Sequence, residues 1–428
     1  MRTVYPYTIQ HIDLATQDFE AVLPLLQRSA CYCVYWWKQV PLAHLYLEKN
    51  ELAGAAALRS RIASEMEPVI RFYSHRHHVQ ATGCTAAFEH NDLPAFTRLM
   101  EAVFSPVTAV ALPPGVDISV VICTRNRSRM LQRCLDALLR QASLPAEIIV
   151  VDNAPDNNST EEVVKQYPAV TYVREPRPGL DIARNTGAIK ASRPVVAYTD
   201  DDVILHPHWT YRVWEVFNNP EIAAMTGLVI ASSLDTESQQ LFEKHWSFNR
   251  GYQEKIFDHS FLQAHLSSGP PVWEIGAGAN MAFRKSVLDK VGYFDERLDV
   301  GAAGCSGDSE IWFRILKHNM TILYQPLAVV HHEHRKEMQA LQNQIFHYMR
   351  GFAAAALIQQ EQHEQAGYRT HLYKVLPKYY KDLLVAGFPS YQERYKTIFS
   401  EIRGLISGIR YFRKHKKSPA QPVTRNHA

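Results

Sequence analysis

Val195-Val-Ala-Tyr-Thr-Asp-Asp-Asp202 sets three carboxylates directly behind a short apolar run. Two earlier stretches are built the same way. Ser119-Val-Val-Ile-Cys-Thr-Arg-Asn-Arg127 runs into a basic loop, and Glu147-Ile-Ile-Val-Val-Asp-Asn153 into an acid and an amide. Apolar runs of this length, without polar alternation, read as strands buried on both faces. Residues 130–140 and 181–191 carry helical periodicity, and Ser159-x-x-Glu162 reads as a capping box opening a helix to Tyr167. With a further strand at 170–173, strands and helices alternate. This predicts an α/β fold with a mostly parallel sheet covered by helices on both faces. In an open parallel sheet, ligands bind beyond the carboxyl ends of the strands. The basic loop at 124–127, Asp152 and the triplet Asp200, Asp201 and Asp202 all fall at that edge.

Three adjacent carboxylates behind a buried strand repel one another and lose solvation. A hard divalent cation removes both penalties, because Mg²⁺ and Mn²⁺ take carboxylate oxygens. The alternative is a solvated turn that caps a helix near Pro207. There is no GxxxxGK[ST] loop, and Gly276-Ala-Gly-Ala-Asn-Met281 has Met where a dinucleotide loop needs its third Gly. A nucleoside diphosphate held through a cation on the triplet, with Arg127 or Arg184 beside it, fits these residues.

The wider chain sets bounds on function. Of 428 residues, 46 are Lys or Arg and 43 Asp or Glu, a net charge of +3 that argues against a nucleic-acid-coating protein. Six cysteines without a CxxC pair argue against a disulfide framework or a structural zinc. No apolar run approaches the length of a membrane span, and the first residues lack the apolar region of a secretory signal. The expectation is a cytoplasmic protein, either free or peripheral on the inner face of the cell membrane. Three regions separate by pattern: a small α+β module at 1–115, the alternating region at 116–335, and a helical extension at 336–428. In the first, strands are expected at 31–37 and 42–47 and helices at 51–66 and 93–104. In the third, helices are expected at 338–364, 368–385 and 391–414, with 418–428 of disordered composition.

The ordered set of motifs resembles family 2 glycosyltransferases with the GT-A fold. To the stretches above it adds Gly179-Leu-Asp-Ile-Ala-Arg-Asn-Thr-Gly187, Gly276-Ala-Gly-Ala-Asn-Met-Ala-Phe-Arg284, Gly292-Tyr-Phe-Asp-Glu296, Gly307-Asp-Ser-Glu310 and His332-Glu-His-Arg335. The resemblance covers residues 116–335, about half the chain. It implies a metal-dependent, inverting transfer of a sugar from a nucleotide sugar, a UDP-sugar by expectation, to a hydroxyl of a glycan or lipid-linked acceptor. The setting it implies is synthesis of a surface polysaccharide or glycoconjugate. It places Thr124 and Asp152 on the nucleoside and Arg184 and Asn185 near the diphosphate. Asp202 becomes the main ligand of Mn²⁺ or Mg²⁺, Asp200 and Asp201 lie towards the ribose and metal waters, and His332 completes the site. Asp308 is the expected general base, kept ionised by a helix N-terminus. Gly307 stands where the family often has Glu, and Glu310 is the fallback base. The alternative is that Asp308 only caps the helix running to Leu316. A nucleotide-sugar-binding module without turnover, or a sugar nucleotidyltransferase, is the alternative class. The second lacks the Gly-rich loop it needs.

Two features lie outside these motifs. Phe242, Trp246, Phe248, Tyr252 and Trp273 can bind sugar faces or pack a lid. Near the end, Tyr395, Ile398, Phe399, Ile402, Leu405, Ile406, Ile409 and Phe412 form a helical stripe. From 402 to 428 there are seven Lys or Arg and no acid, leaving 39 basic and 43 acidic groups in residues 1–401. This basic amphipathic helix suits an anionic membrane surface, or packs on the catalytic region with its charges solvated.

Overall fold

Val120, Val121 and Ile122 are all fully buried, so their strand is covered on both sides. The protein is seen in a computed structural model that describes residues 6–26, 29–49, 54–418 and 420. A small sheet comprises β1 (Thr8–Asp13), β2 (Cys31–Trp37) and β3 (Val40–Leu47). The main sheet comprises β4 (Gly115–Thr124), β5 (Leu144–Asn153), β6 (Val170–Glu175), β7 (Val195–Asp200), β8 (Val203–Leu205), β9 (Ile222–Ala231), β10 (Lys255–Phe257), β11 (Asn280–Arg284) and β12 (Thr321–His332).

Its spatial order is β10-β12-β9-β11-β7-β4-β5-β6, with β8 paired to β12. The block β6-β5-β4-β7 is parallel throughout, as is β9 with β12, while β11 runs antiparallel between the two. The chain leaves β4 for β5 on one side and later returns to lay β7 on the other. That reversal opens a crevice at the strand ends. Val120 and Ile122 pack with Leu131, Leu135, Trp209 and Val213 of the helices Ser128–Leu138 and Trp209–Val216. On the other face, Val121 and Cys123 share a core with Ala183 and Ala188 of the helix Leu180–Lys190. A Cβ on Gly187 would lie 2.3 Å from Val121 Cγ1, so this helix sits directly on the sheet.

The N-terminal module shares that second core. Trp36 stacks on His206 at 5.5 Å, and His11 meets His331 edge-on at 5.2 Å. The module therefore backs the strand whose next residue is His332. The expected strand at 42–47 begins earlier, at Val40, and the expected helix at 51–66 begins within the described residues at Ala55 and continues to Arg76. Residues 51–53 lie outside the described residues, as do 419 and 421–428 of the expected disordered end. Ser159 does not cap its helix. Asn158 is the capping position, and the Ser159 N–H is met by the Asn157 side chain at 2.9 Å.

In the C-terminal region the helix Met338–Gln362 matches its expectation closely. The single helix expected at 368–385 is broken by a π-turn at His371–Val375 before the helix Leu376–Gly387. Pro377 has no N–H to offer the carbonyl four residues back, which loosens that turn. The terminal helix Ile398–His415 lies against Met338–Gln362 through Gly404 and Gly408. Their Cβ atoms would come within 2.4 Å of Phe346 O and 2.2 Å of Arg350 O. Gly408→Val should therefore lose about 1–3 kcal/mol of stability by overpacking, read as a lower denaturant midpoint. Arg413→Ala, on the exposed face, should leave the midpoint unchanged. Among the described residues, no helix is long and apolar enough to cross a membrane.

Candidate active site

β4, β5 and β7 end side by side, with Thr124 in register with Asp152 and Cys123 with Asp200. A cavity of about 1000 Å³ opens over these ends. Of the residues singled out from sequence, Thr124, Arg127, Arg184, Asp200, Asp201, Asp202, Asp308 and His332 line it. Asp152 and Asn185 do not. Asp152 is fully buried, accepts from the Tyr172 hydroxyl at 2.9 Å, and has its pKa raised by burial; Asn153 lines the cavity in its place. Asn185 brackets the backbone of Phe294, accepting from its N–H at 2.9 Å and donating to its carbonyl at 3.0 Å. It fixes the loop beside the site.

The Asp triplet divides in two. Asp201 turns inward, accepting from Thr124 Oγ1 at 2.6 Å and from Arg127 Nη1 at 3.0 Å. It holds the first loop through Thr124 and Arg127 while still lining the cavity. Arg127 also reaches Asp202 Oδ2 at 3.2 Å. Asp200 and Asp202 converge instead on His332, with one ligand atom of each lying within 4.8 Å of the others. Topology makes this meeting. β8 follows Asp202 immediately and pairs antiparallel with the end of β12, Val203 opposite His332.

These three side chains fit a divalent cation. Asp202 Oδ1 is buried without a hydrogen-bond partner and lies 3.4 Å from His332 Nε2. Burial, then the neighbouring Asp202 carboxylate, pushes Asp200 up to about 7. Burial lowers His332 to about 4, so its imidazole is neutral near pH 7. His334 Nε2 lies 2.8 Å from Glu243 Oε2 and His334 Nδ1 lies 3.2 Å from His332 Nδ1, so these contacts hold the His332 ring with Nε2 towards Asp202. Among the described residues no other group of this kind occurs, and His75, His77 and His78 form none. The histidine alternation at 332 and 334 was visible in sequence, but its partner Glu243 was not.

Asp308 lies in the first turn of the helix Gly307–Lys317 and takes Ser309 N–H at 2.7 Å and Gly278 N–H at 2.9 Å. The helix terminus does not dominate its titration. Burial, then the nearby Asp299 carboxylate, raises its pKa. A Cβ at Gly278 would fall 2.6 Å from Arg184 Nη2 and 3.5 Å from Asp308 Oδ2. Loop, guanidinium and carboxylate thus meet at a point that needs glycine. Arg184 Nη1 binds Asp181 Oδ1 at 3.0 Å and Asp299 Oδ2 at 2.6 Å. Gly307 has a local reason as well, since a Cβ there would lie 2.1 Å from Asp181 Oδ2. The Asp181 carboxylate occupies the space of a side chain at that position. Glu310, the fallback base, is fully buried, grips Arg314 Nε with both oxygens at 2.8 and 2.9 Å, accepts from Gln362 and lies outside the cavity lining. It is structural. Asp299, which the sequence reading missed, follows the Gly292 motif and holds φ +61°, a left-handed conformation stabilised by packing around Arg184.

Trp246, Phe248 and Trp273 line the cavity, whereas Phe242 packs on His334 at 4.5 Å and Tyr252 binds His44 at 2.8 Å. Trp209 is core, its indole N–H donating to Asn280 at 2.8 Å. The six cysteines are free thiols.

Residues 119–292, which carry β5, β6, β7, β8, β9, β10 and β11 and most of β4, match the family described as glycosyl transferase family 2. Over 246 residues, 56% of this chain, it is 24% identical to a pre-mycofactocin glycosyltransferase of Mycobacterium tuberculosis, spanning 48% of that protein. It is 24% identical over 240 residues, 50% of the chain, to a chondroitin synthase of Escherichia coli, spanning 34% of it. A validoxylamine A glucosyltransferase of Streptomyces hygroscopicus subsp. limoneus is 33% identical over 127 residues, 27% of this chain and 28% of that one. The chain thus spans about half or less of the length of these relatives. A mannosyltransferase from Pyrobaculum calidifontis, solved with GDP-Man and Mn²⁺, aligns over 77% of this chain and 97% of its own, with 16% identity and a TM-score of 0.46.

Proposed function

We propose that the cleft transfers a sugar from a nucleoside diphosphate, UDP by preference, to an acceptor hydroxyl with inversion at the anomeric carbon. The observation that carries this is the placing of Asp308 in one cavity with the Asp200, Asp202 and His332 cluster, in a chain whose residues 119–292 match glycosyl transferase family 2. Asp308 takes the proton of the acceptor hydroxyl, whose oxygen bonds to the anomeric carbon. The bond from that carbon to the diphosphate breaks, and the nucleoside diphosphate leaves with the electron pair. Asp200, Asp202 and His332 are the residues that would hold Mn²⁺ or Mg²⁺, whose contribution when bound is to neutralise charge on the leaving diphosphate. Arg184, held by Asp181 and Asp299, keeps positive charge beside Asp308. Trp246 and Trp273 offer faces to a sugar ring. The proposed setting is cytoplasmic synthesis of a surface polysaccharide or glycolipid, with the exposed basic side chains of the terminal helix towards an anionic membrane.

A thermal-shift panel of nucleoside diphosphates with and without Mn²⁺ or Mg²⁺ tests the donor. UDP with Mn²⁺ should stabilise most, by about 2.7 kcal/mol at a hundred times its Kd. No stabilisation by any nucleoside diphosphate with either cation would remove the reading.

A further inference from the structure

A second cavity, about 850 Å³ and almost wholly apolar, lies between the helices Leu376–Gly387 and Ile398–His415. Leu384, Val385, Phe388, Ile406 and Ile409 are among its walls. Leu376 and Tyr380 line both this groove and the catalytic cavity, so the two share a wall. The stripe read from sequence is therefore shared out. Ile398 and Phe412 are buried, whereas Ile402, Leu405, Ile406 and Ile409 wall the groove. Of thirteen exposed large hydrophobic side chains in the described residues, seven lie between Tyr373 and Ile406, with Val385 71% and Phe388 73% exposed. Such a concentration marks a binding surface rather than scatter.

Charge indicates what the surface meets. Residues 369–418 hold twelve Lys or Arg against three Asp or Glu, and Lys381 is on the groove wall. On the catalytic side, Arg250 and Arg350 line the cavity, each has a buried Nε without a hydrogen-bond partner, and among the described residues neither has a carboxylate in ion-pair contact. Arg250 donates only to the carbonyls of Ser247 and Trp273, and Arg350 lies over the Tyr411 ring, so neither positive charge is neutralised by a carboxylate among the described residues. An apolar groove that shares a wall with such a cleft complements a ligand with a hydrocarbon tail and an anionic head.

We propose that the acceptor is an amphiphile on a lipid phosphate, its hydrocarbon chain in the groove and its head group reaching the catalytic cavity past Leu376 and Tyr380. This rests on the glycosyltransfer reading of the cleft. The test is calorimetric titration of the full chain with farnesyl phosphate, farnesol and inorganic phosphate, for the native protein and for Val385→Asp and Ile406→Asp. Both positions are exposed, so the variants should fold. Farnesyl phosphate should bind saturably, more tightly than farnesol, with inorganic phosphate unable to compete, and each variant should weaken it at least tenfold. UDP binding with Mn²⁺ should be the same in all three proteins, which separates failure here from failure of the donor reading. Absent binding, or binding that neither variant weakens, overturns the proposal. So does a native dimer that Ile406→Asp dissociates, which would make the groove a subunit interface. Sedimentation with phosphatidylglycerol vesicles without binding of farnesyl phosphate overturns it too, by making the face a membrane contact alone.

Discussion

Asp308→Asn should abolish sugar transfer while leaving nucleotide binding intact. The amide keeps the shape of the carboxylate but cannot take a proton, and general-base catalysis is worth about 10²–10⁴-fold in rate. The protein should fold, because burial and Asp299 already penalise the ionised carboxylate, and a neutral side chain relieves that penalty. The same shift fixes the acid limb of the native pH profile. The base acts when ionised, and a raised pKa protonates it at a higher pH than a free carboxyl. Activity should therefore fall on acidification with a midpoint above the ordinary Asp value of about 4. Glu310→Gln is the contrast. Its carboxylate binds Arg314 away from the cavity, so the loss should appear as lowered stability with the pH profile unmoved. Normal turnover by the Asp308 variant would end its assignment as the base.

The second large effect is expected at the cation cluster. Asp202→Ala should reduce Mn²⁺ binding below detection by calorimetry or electron paramagnetic resonance, since it removes an unpartnered buried oxygen between Asp200 and His332. His334→Ala should weaken Mn²⁺ about 10–100-fold, the usual effect of losing a group that orients a ligand. Without His334, the His332 ring loses its partner at Nδ1 and is no longer oriented by it. Equal Mn²⁺ affinity in native and His334→Ala proteins would show that His332 does not depend on this chain of hydrogen bonds.

Much of the framework was legible in the sequence because it is local. Continuous apolar runs name the strands of the parallel block, and residues directly behind them reach the strand ends. Asp200, Asp202 and Asp308 could be chosen on that ground and on motif order. What the sequence did not show shares one cause, contact between residues far apart in the chain. Nothing near Asp201 shows that Thr124 and Arg127 will turn it inward, and nothing near Asn185 foretells Phe294. Asp152 follows its strand as Asp200 does, yet Tyr172 from the next strand covers it. Glu243 orients His334 across ninety-one positions. Periodicity also shows that the terminal helix is amphipathic without showing that its apolar stripe serves both a packed face and an open groove.

His331 and His332 leave β12 in opposite directions, one towards His11 of the N-terminal module and the other towards Asp202. The edge of the matched residues is thus not a mechanical edge. A catalytic fragment beginning at Gly115 would bare the rear of the strand that presents His332, and Trp36 would no longer brace His206 just beyond β8. The described residues of the N-terminal module back the strand that carries the candidate cation ligand His332, and trimming to the matched residues would take away what holds that strand steady.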